Sequence, residues 1–149
     1  MLNRLLRVLR SRADRPLAAH LRAARRGEDL AYQFLRRLGY VIVARNYRAR
    51  AARGEIDLIG WDNDRLAFIE VKTRASEEFG APGRAVDHAK RRHLVRTAEE
   101  FARRSGADPA RMRFDVVSVV LGEKPPEVRI EKDVFSACSL RGRARRRFA

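Results

Sequence analysis

Apolar residues recur at helical spacing in three stretches of the chain. The first ten residues place leucines at i, i+3, i+4 and i+7 with arginines between them, which predicts a short amphipathic helix that Pro16 ends. A second helix is predicted at Glu28–Leu38, where Gly39 provides a stop signal. A third helix is predicted at Ala85–Arg104, after a loop rich in glycine and proline.

The other apolar stretches have strand periodicity or a β-branched composition. Strands are predicted at Tyr40–Tyr47, Glu55–Trp61, Arg65–Thr73, Arg113–Leu121 and Glu127–Glu131. The second and third strands flank the turn sequence Asp-Asn-Asp and should form a hairpin. The fourth is a continuous apolar run, which is typical of a strand covered on both faces, and the fifth is a short edge strand. The order αβββαβ, followed by a small strand, predicts an α/β fold.

The first strand of the predicted hairpin separates acidic from apolar residues. Because side chains alternate along a strand, Glu55 and Asp57 share one face, and Ile56 and Leu58 share the opposite face. The acidic face of this strand therefore carries two carboxylates.

The second strand of the hairpin places Glu70 and Lys72 on one face. A hairpin that closes symmetrically at its turn sets Asp57 opposite Glu70, and Glu55 opposite Lys72. Two like charges directly opposed on one face destabilise a sheet, so a compensating group is expected. Mg²⁺ or Mn²⁺ would serve, because such ions bind one or two carboxylates together with waters and phosphate oxygens. Lys72 could orient a water or stabilise charge on a phosphate, so the pattern predicts a phosphodiester hydrolysis site.

Two simpler interpretations of these carboxylates remain open. One of the acids could pair with Arg74 or Arg48, or Glu70 could face solvent. Glu28 lies on the apolar face of the predicted second helix and could supply a further ligand to metal or water. Equally, Glu28 could sit in the first turn of that helix because the helix dipole favours a negative charge there.

Charge is concentrated at the two ends of the chain. The 149 residues carry a formal net charge of +15, of which residues 1–27 and 141–149 together supply +12. A nearly balanced middle with two cationic ends suits a polyanionic partner, most simply nucleic acid. The chain has 30 arginines but only four lysines, so part of its positive charge also fits a composition bias towards arginine.

Several classes of function receive no support from the sequence. The single Cys138 excludes an internal disulfide and a cysteine-rich zinc module, and the chain has neither a P-loop nor a G-x-S-x-G motif. No apolar run approaches the ~18 residues that would span a bilayer, so a membrane is not an expected partner and a cytoplasmic location is predicted. The arginine-rich start alternatively fits an organellar presequence or a membrane-surface helix.

Four short motifs and one lysine carry a resemblance to a known family. They are G-E-D-L-A at Gly27–Ala31, R-N-Y-R at Arg45–Arg48, G-E-I-D-L-I at Gly54–Ile59, F-I-E-V-K-T-R at Phe68–Arg74, and Lys90 in the third predicted helix. Together they resemble the YraN-like family of small bacterial endonuclease-like proteins, which is similar to archaeal Holliday-junction resolvases within the PD-(D/E)XK superfamily. The resemblance covers about residues 25–122. It implies a restriction-endonuclease-like αβββαβ core, with a mixed central sheet flanked by helices.

The resemblance also implies roles for individual residues. Asp57 and Glu70 would be metal ligands together with the backbone carbonyl of Val71, Lys72 would be the catalytic lysine, and Glu28 would be the helix carboxylate of such nucleases. The cofactor implied is Mg²⁺ or Mn²⁺. This chain lacks the proline that gives the superfamily its name, because Ile56 precedes Asp57.

The expected function is metal-dependent, structure-directed cleavage of DNA in repair or recombination. Arg48, Arg74, Lys90 and Arg91 are expected to contact nucleic acid, and cleavage of junctions would favour a homodimer, since two symmetric incisions need two sites. The predicted divisions are a basic arm (1–27), a nuclease-like domain (28–135) and a basic tail (136–149). The alternatives are a non-catalytic nucleic-acid-binding module with the same fold and an oligomeric or membrane-surface scaffold.

Overall fold

The chain folds into helices and strands in the order α1-β1-β2-β3-α2-β4-β5 in the computed structural model. The structure describes the backbone of residues 2–75, 88–122 and 124–137. It describes the side chains in these ranges from residue 17 onward. The elements are α1 (Leu2–Arg37), β1 (Val41–Arg48), β2 (Glu55–Asp62), β3 (Arg65–Arg74), α2 (His88–Ser105), β4 (Met112–Val120) and β5 (Glu127–Phe135).

The strands form one mixed sheet in the order β1-β2-β3-β4-β5. Strands β3 and β4 are parallel because α2 crosses over between them, and the other neighbouring strands are antiparallel. Helix α1 packs on one face of the sheet and α2 on the other. The predicted α/β fold, with a mixed central sheet flanked by helices, is therefore confirmed.

Two apolar layers hold the helices against the sheet. Ala31 and Leu35 of α1 are buried among sheet residues that include Leu58 and Ile69. On the opposite face, the buried α2 residues Leu94, Val95 and Ala98 pack on Ile56, Ile59, Leu66, Phe68, Phe114 and Val116. Strand β4 is buried on both faces, as its apolar run predicts.

Helix α1 differs most from the prediction. The expected break at Pro16 is wrong, because one helix runs from Leu2 to Arg37 through the predicted boundary between residues 27 and 28. A proline removes a single helical hydrogen bond, and the flanking alanines, leucines and arginines are strong helix formers. The side chains of the first 16 residues lie outside the described residues. The stop at Gly39 is confirmed by its φ of 92°.

Strand β2 does not keep the predicted alternation. Ile56 and Leu58 were expected on one face, but Ile56 packs with the α2 layer and Leu58 with the α1 layer. The β1–β2 ladder pairs Tyr47 with Ile56 and Arg45 with Leu58. Between the paired β1 residues, Asn46 has a φ of 49°. The change of face on β2 therefore occurs at Asp57, opposite this left-handed residue.

The remaining element ends agree with the prediction to within a few residues, with one exception. Strand β5 continues to Phe135 instead of ending at Glu131. A register irregularity in the β4–β5 ladder between Phe114 and Val116 lets pairing resume beyond Glu131. The predicted start of α2 at 85–87 and nearly all of the predicted basic tail (138–149) lie outside the described residues. Within the described ranges, neither helix is long and apolar enough to cross a membrane.

At Gly27, α1 lies directly against the end of β3. A Cβ atom added there would lie 1.9 Å from Thr73 Oγ1 and 2.9 Å from Thr73 Cβ. Only glycine therefore lets α1 lie on the end of β3, and the next residue along the helix is Glu28.

We predict that Gly27→Ala destabilises the protein by about 1–3 kcal/mol, because the new methyl group overpacks the α1–β3 contact. In an ordinary helix interior the same change would stabilise by about 1 kcal/mol. Urea unfolding followed by circular dichroism measures the difference, and Gly27→Ala combined with Thr73→Ala should recover part of the loss. A Gly27→Ala protein more stable than wild type would contradict this packing.

Candidate active site

A cavity of about 640 Å³ lies at the end of β3, between the two helices. It brings together most of the residues that the sequence singled out. Lining it are Glu28, Asp57, Glu70, Val71, Lys72, Arg74 and Lys90. They come from α1, β2, β3 and α2, so the cavity exists only when the whole core is assembled.

Asp57 lies where the β2–β3 ladder ends. The ladder follows the predicted register from Asp62–Arg65 to Leu58–Ile69. One residue further, Asp57 Oδ2 accepts a hydrogen bond of 2.7 Å from the backbone N–H of Val71. A side chain thus replaces the next backbone contact, and the carboxylate of Asp57 is anchored to the strand that carries Glu70.

The predicted pairing of Glu55 with Lys72 is wrong. Glu55 pairs with Arg48 of β1 instead, at 2.8 Å. The reason is that the β2–β3 ladder ends before Glu55, while the β1–β2 ladder continues to the Arg48–Glu55 pair. Arg48, which the simpler interpretation offers as a partner of Asp57 or Glu70, is thus engaged by Glu55.

Glu70 is buried, with 8% of its surface exposed, so the interpretation of a solvent-facing side chain is wrong. Its Oε1 accepts a hydrogen bond of 3.0 Å from Lys72 Nζ and a second one from Lys90 Nζ. Burial lowers the pKa of Lys90, but the hydrogen bond and the charge of Glu70 outweigh this and leave that pKa raised. Two ammonium groups therefore converge on one carboxylate oxygen.

Asp57 is in an unfavourable environment for a negative charge. Burial and the charge of Glu70 raise its pKa to about 7, with a smaller contribution from Glu28. The hydrogen bond from Val71 and the charge of Lys90 oppose the rise without cancelling it. The expected repulsion between the acids is thus present, and the described lysines compensate it only in part.

Glu28 lies far from the start of α1, because the helix begins at Leu2. The interpretation of Glu28 as a first-turn residue that answers the helix dipole is therefore wrong. Its side chain lines the cavity, and its charge raises the pKa of Asp57. Glu28 is held there by the close approach at Gly27.

The oxygen ligands that Asp57 and Glu70 offer fit a hard divalent cation, although there are few of them. No group of three or more His, Cys, Asp or Glu side chains with metal-binding geometry occurs among the described residues. Mg²⁺ and Mn²⁺ do not need three such side chains, since one or two carboxylates suffice when waters and phosphate oxygens complete the octahedron. Asp57 and Glu70 provide two carboxylates, and their repulsion is the condition that a cation would relieve.

Two of the expected nucleic-acid contacts lie outside the cavity. Arg48 forms the ion pair with Glu55, and Arg91 places its guanidinium 5.3 Å from the ring centroid of Phe135. Arg74 and Lys90 line the cavity. The sequence did not single out His20, Ala23 and Ala24 as wall residues of α1. Ala24 and His20 lie four and eight residues before Glu28, which was the available signal, but it requires a helix that extends upstream of residue 27.

A second group of buried charges differs from the site in being fully paired. Arg113 donates hydrogen bonds of 2.8 Å to both oxygens of Asp115, to Asp62 and to the hydroxyl of Tyr40. Asp62 also accepts from Lys132 at 2.8 Å, and these bonds lower the pKa of Asp62. The group ties β2, β4 and β5 together, and its acids need no further cation.

Comparison with known proteins identifies relatives along most of the chain. A sequence model described as "Uncharacterised protein family UPF0102" matches residues 27–119. A UPF0102 protein of Solibacter usitatus (strain Ellin6076) is 54% identical over 99 residues, covering 66% of this chain and 75% of that protein. A UPF0102 protein of Koribacter versatilis (strain Ellin345) is 45% identical over 132 residues, covering 89% and 90%. The matched region begins one residue before Glu28.

We predict that Asp57→Asn stabilises the metal-free protein at pH 8. The native pKa of about 7 exceeds the unfolded value of about 4. The free energy of unfolding is therefore highest below about pH 4, where Asp57 is protonated in both states, and it falls as the pH rises to about 7. Asparagine cannot ionise, so the free energy of unfolding of the variant should exceed that of wild type by on the order of 2–4 kcal/mol at pH 8 and by little near pH 4. Urea unfolding in EDTA across this range measures the gain; a gain independent of pH would contradict the raised pKa.

Proposed function

The chain belongs to the UPF0102 family of YraN-like proteins, in the restriction-endonuclease-like superfamily, and we propose that it is a metal-dependent endonuclease that hydrolyses DNA phosphodiesters. The observation that carries the proposal is the arrangement of Asp57, Glu70 and Lys72 around one cavity. Asp57 is fixed by its hydrogen bond to Val71, and Lys72 contacts Glu70 directly. Two acids and an amine are the groups that such hydrolysis needs.

Mg²⁺ or Mn²⁺ held by Asp57 and Glu70, with the carbonyl of Val71, would polarise a phosphoryl oxygen and make a bound water acidic. Lys72 is placed to stabilise the negative charge that develops on the phosphate, because its ammonium is beside Glu70 and only 20% exposed. Glu28 faces the same cavity from α1 and could hold a water by hydrogen bonding. In each case the protein contributes position and charge.

The charge of the chain supports nucleic acid as the substrate. The formal net charge of +15 lies mostly in the arginine-rich ends, which would neutralise phosphates without reading bases. Binding of this kind follows the shape of DNA more than its sequence, which suits structure-directed cleavage in repair or recombination. A homodimer would supply two sites for symmetric incisions at a junction.

One observation favours a second candidate, a nucleic-acid-binding module that does not cut. Lys72 and Lys90 both donate to Glu70, at the oxygen that a metal ion would need. If these lysines neutralise the acids permanently, the fold would bind DNA while the site stays inert. The two candidates differ in whether a divalent cation displaces an ammonium group from Glu70.

We predict that the purified protein cleaves branched or flapped DNA in Mg²⁺ or Mn²⁺, and that Asp57→Ala and Lys72→Ala each lower the rate by about 100-fold or more, since each removes a group that acts in the transition state. Gel analysis of labelled branched, flapped and linear DNA measures the rate. Asp64→Asn is the matched control, because Asp64 is an exposed acid in the turn of the same hairpin. Full activity in both site variants would contradict the proposal.

We further predict that Mn²⁺ binds saturably in calorimetric titration and that Asp57→Asn and Glu70→Gln abolish the binding. Lys90→Met should tighten it by roughly tenfold, because the variant removes a competing positive charge from Glu70. Arg103→Met, on an exposed part of α2, is the control for lost positive charge. Absence of saturable Mn²⁺ binding in the wild-type protein would favour the non-catalytic module.

A further inference from the structure

A second cavity, of about 420 Å³, adjoins the first on the side of the β1–β2 loop. Asp57, Glu70 and Lys90 line both cavities. The second cavity is completed by Arg53, Gly54, Glu55, His93 and Leu94. We propose that it is a phosphate-binding subsite for a single nucleic-acid strand, in which Arg53 and His93 hold a phosphate next to the one cleaved. This inference rests on the proposed function and extends it to residues outside the catalytic group.

The loop that carries Arg53 is fixed to α2 by a buried carboxylate. Glu100 is only 6% exposed, and its two oxygens accept hydrogen bonds from the backbone N–H groups of Arg50 and Ala51, at 3.0 and 3.2 Å. The bond from Arg50, opposed by burial and aided by that from Ala51, lowers the pKa of Glu100. The loop is therefore held in one position before any ligand binds.

Gly54 brings the same loop against the backbone of α2. A Cβ atom there would lie 2.4 Å from Thr97 Oγ1 and 3.1 Å from the carbonyl oxygen of His93. The loop thus approaches α2 at the turn of helix that carries His93. As a result, Arg53 and His93 reach the same cavity from two different elements.

Arg53 is the cation in this cavity that is available to a ligand. Lys90 is engaged by Glu70, and the acid Glu55 is engaged by Arg48. Arg53 is exposed, and no ion pair joins it to an acid within the described part of the chain. A loop held firmly in place that carries an arginine without an acidic partner is suited to binding an anion.

The two adjoining cavities suit a nucleic-acid strand that runs from one cavity into the other. A phosphodiester chain carries one phosphate per nucleotide, so a strand with one phosphate at Asp57 and Glu70 extends its neighbours to either side. Arg74 lines the cavity on one side, and Arg53 lines the cavity on the other. A single strand can follow this path between α1 and the β1–β2 loop, and it is the ligand to which we assign the subsite.

The test measures binding of a fluorescent single strand and of a matched duplex by anisotropy, in Ca²⁺ at several salt concentrations. Arg53→Ala should weaken single-strand binding by about 5–10-fold and lower the slope of log K against log salt by about 0.7, as expected for one lost phosphate contact. His93→Ala should weaken it less. Arg103→Ala, which removes an exposed arginine of α2 that lines neither cavity, should have neither effect. Where wild type cleaves, Arg53→Ala should raise KM more than it lowers kcat.

The outcomes separate this inference from the proposed nuclease activity. If wild type does not cut DNA but Arg53→Ala still weakens single-strand binding specifically, the subsite stands and the nuclease proposal fails. If wild type cuts DNA and Arg53→Ala behaves like Arg103→Ala in affinity, salt slope and KM, the subsite is wrong and the nuclease proposal stands. A loss confined to the duplex would also overturn the subsite.

Discussion

The hydrogen bond from the Val71 N–H to Asp57 determines most of the geometry of the candidate site. The β2–β3 ladder ends at the Leu58–Ile69 pair, and this bond takes the place of the next backbone contact. It holds the Asp57 carboxylate against the strand that carries Glu70, although the two side chains repel each other. Where the ladder ends, the strands leave room for a cavity that Glu28 reaches from α1 and Lys90 from α2.

The cost of this arrangement is electrostatic. Burial and the charge of Glu70 raise the pKa of Asp57, and two lysines donate to Glu70 without removing the penalty. The group around Arg113 shows the contrasting case, since Asp62 and Asp115 there share an arginine and form a stable tie between strands. Acids that repel each other in a cavity are characteristic of functional sites, whereas acids that share a cation are characteristic of structural ones.

Much of the fold and of the site could be predicted from the sequence, because local patterns determined them. The turn chemistry at Asn63 sets the hairpin register, and that register brings Asp57 and Glu70 to one cavity. The predictions that failed had several causes. The break signal of Pro16 is outweighed by the strong helix formers around it. No pattern at Asp57 shows that the alternation of β2 changes there, opposite the left-handed Asn46 of the neighbouring strand. The contact of Lys90 with Glu70 depends on where α2 packs, which spacing alone does not encode.

The proposed nuclease chemistry requires that Asp57 and Glu70 share one divalent cation. Anomalous scattering from crystals of the protein grown with Mn²⁺ tests it most directly. We expect one strong anomalous peak at roughly 2.0–2.2 Å from a carboxylate oxygen of each residue, with Lys90 displaced from Glu70. Crystals in equally high Mn²⁺ with no peak at these carboxylates, and with both lysines still bonded to Glu70, would contradict it.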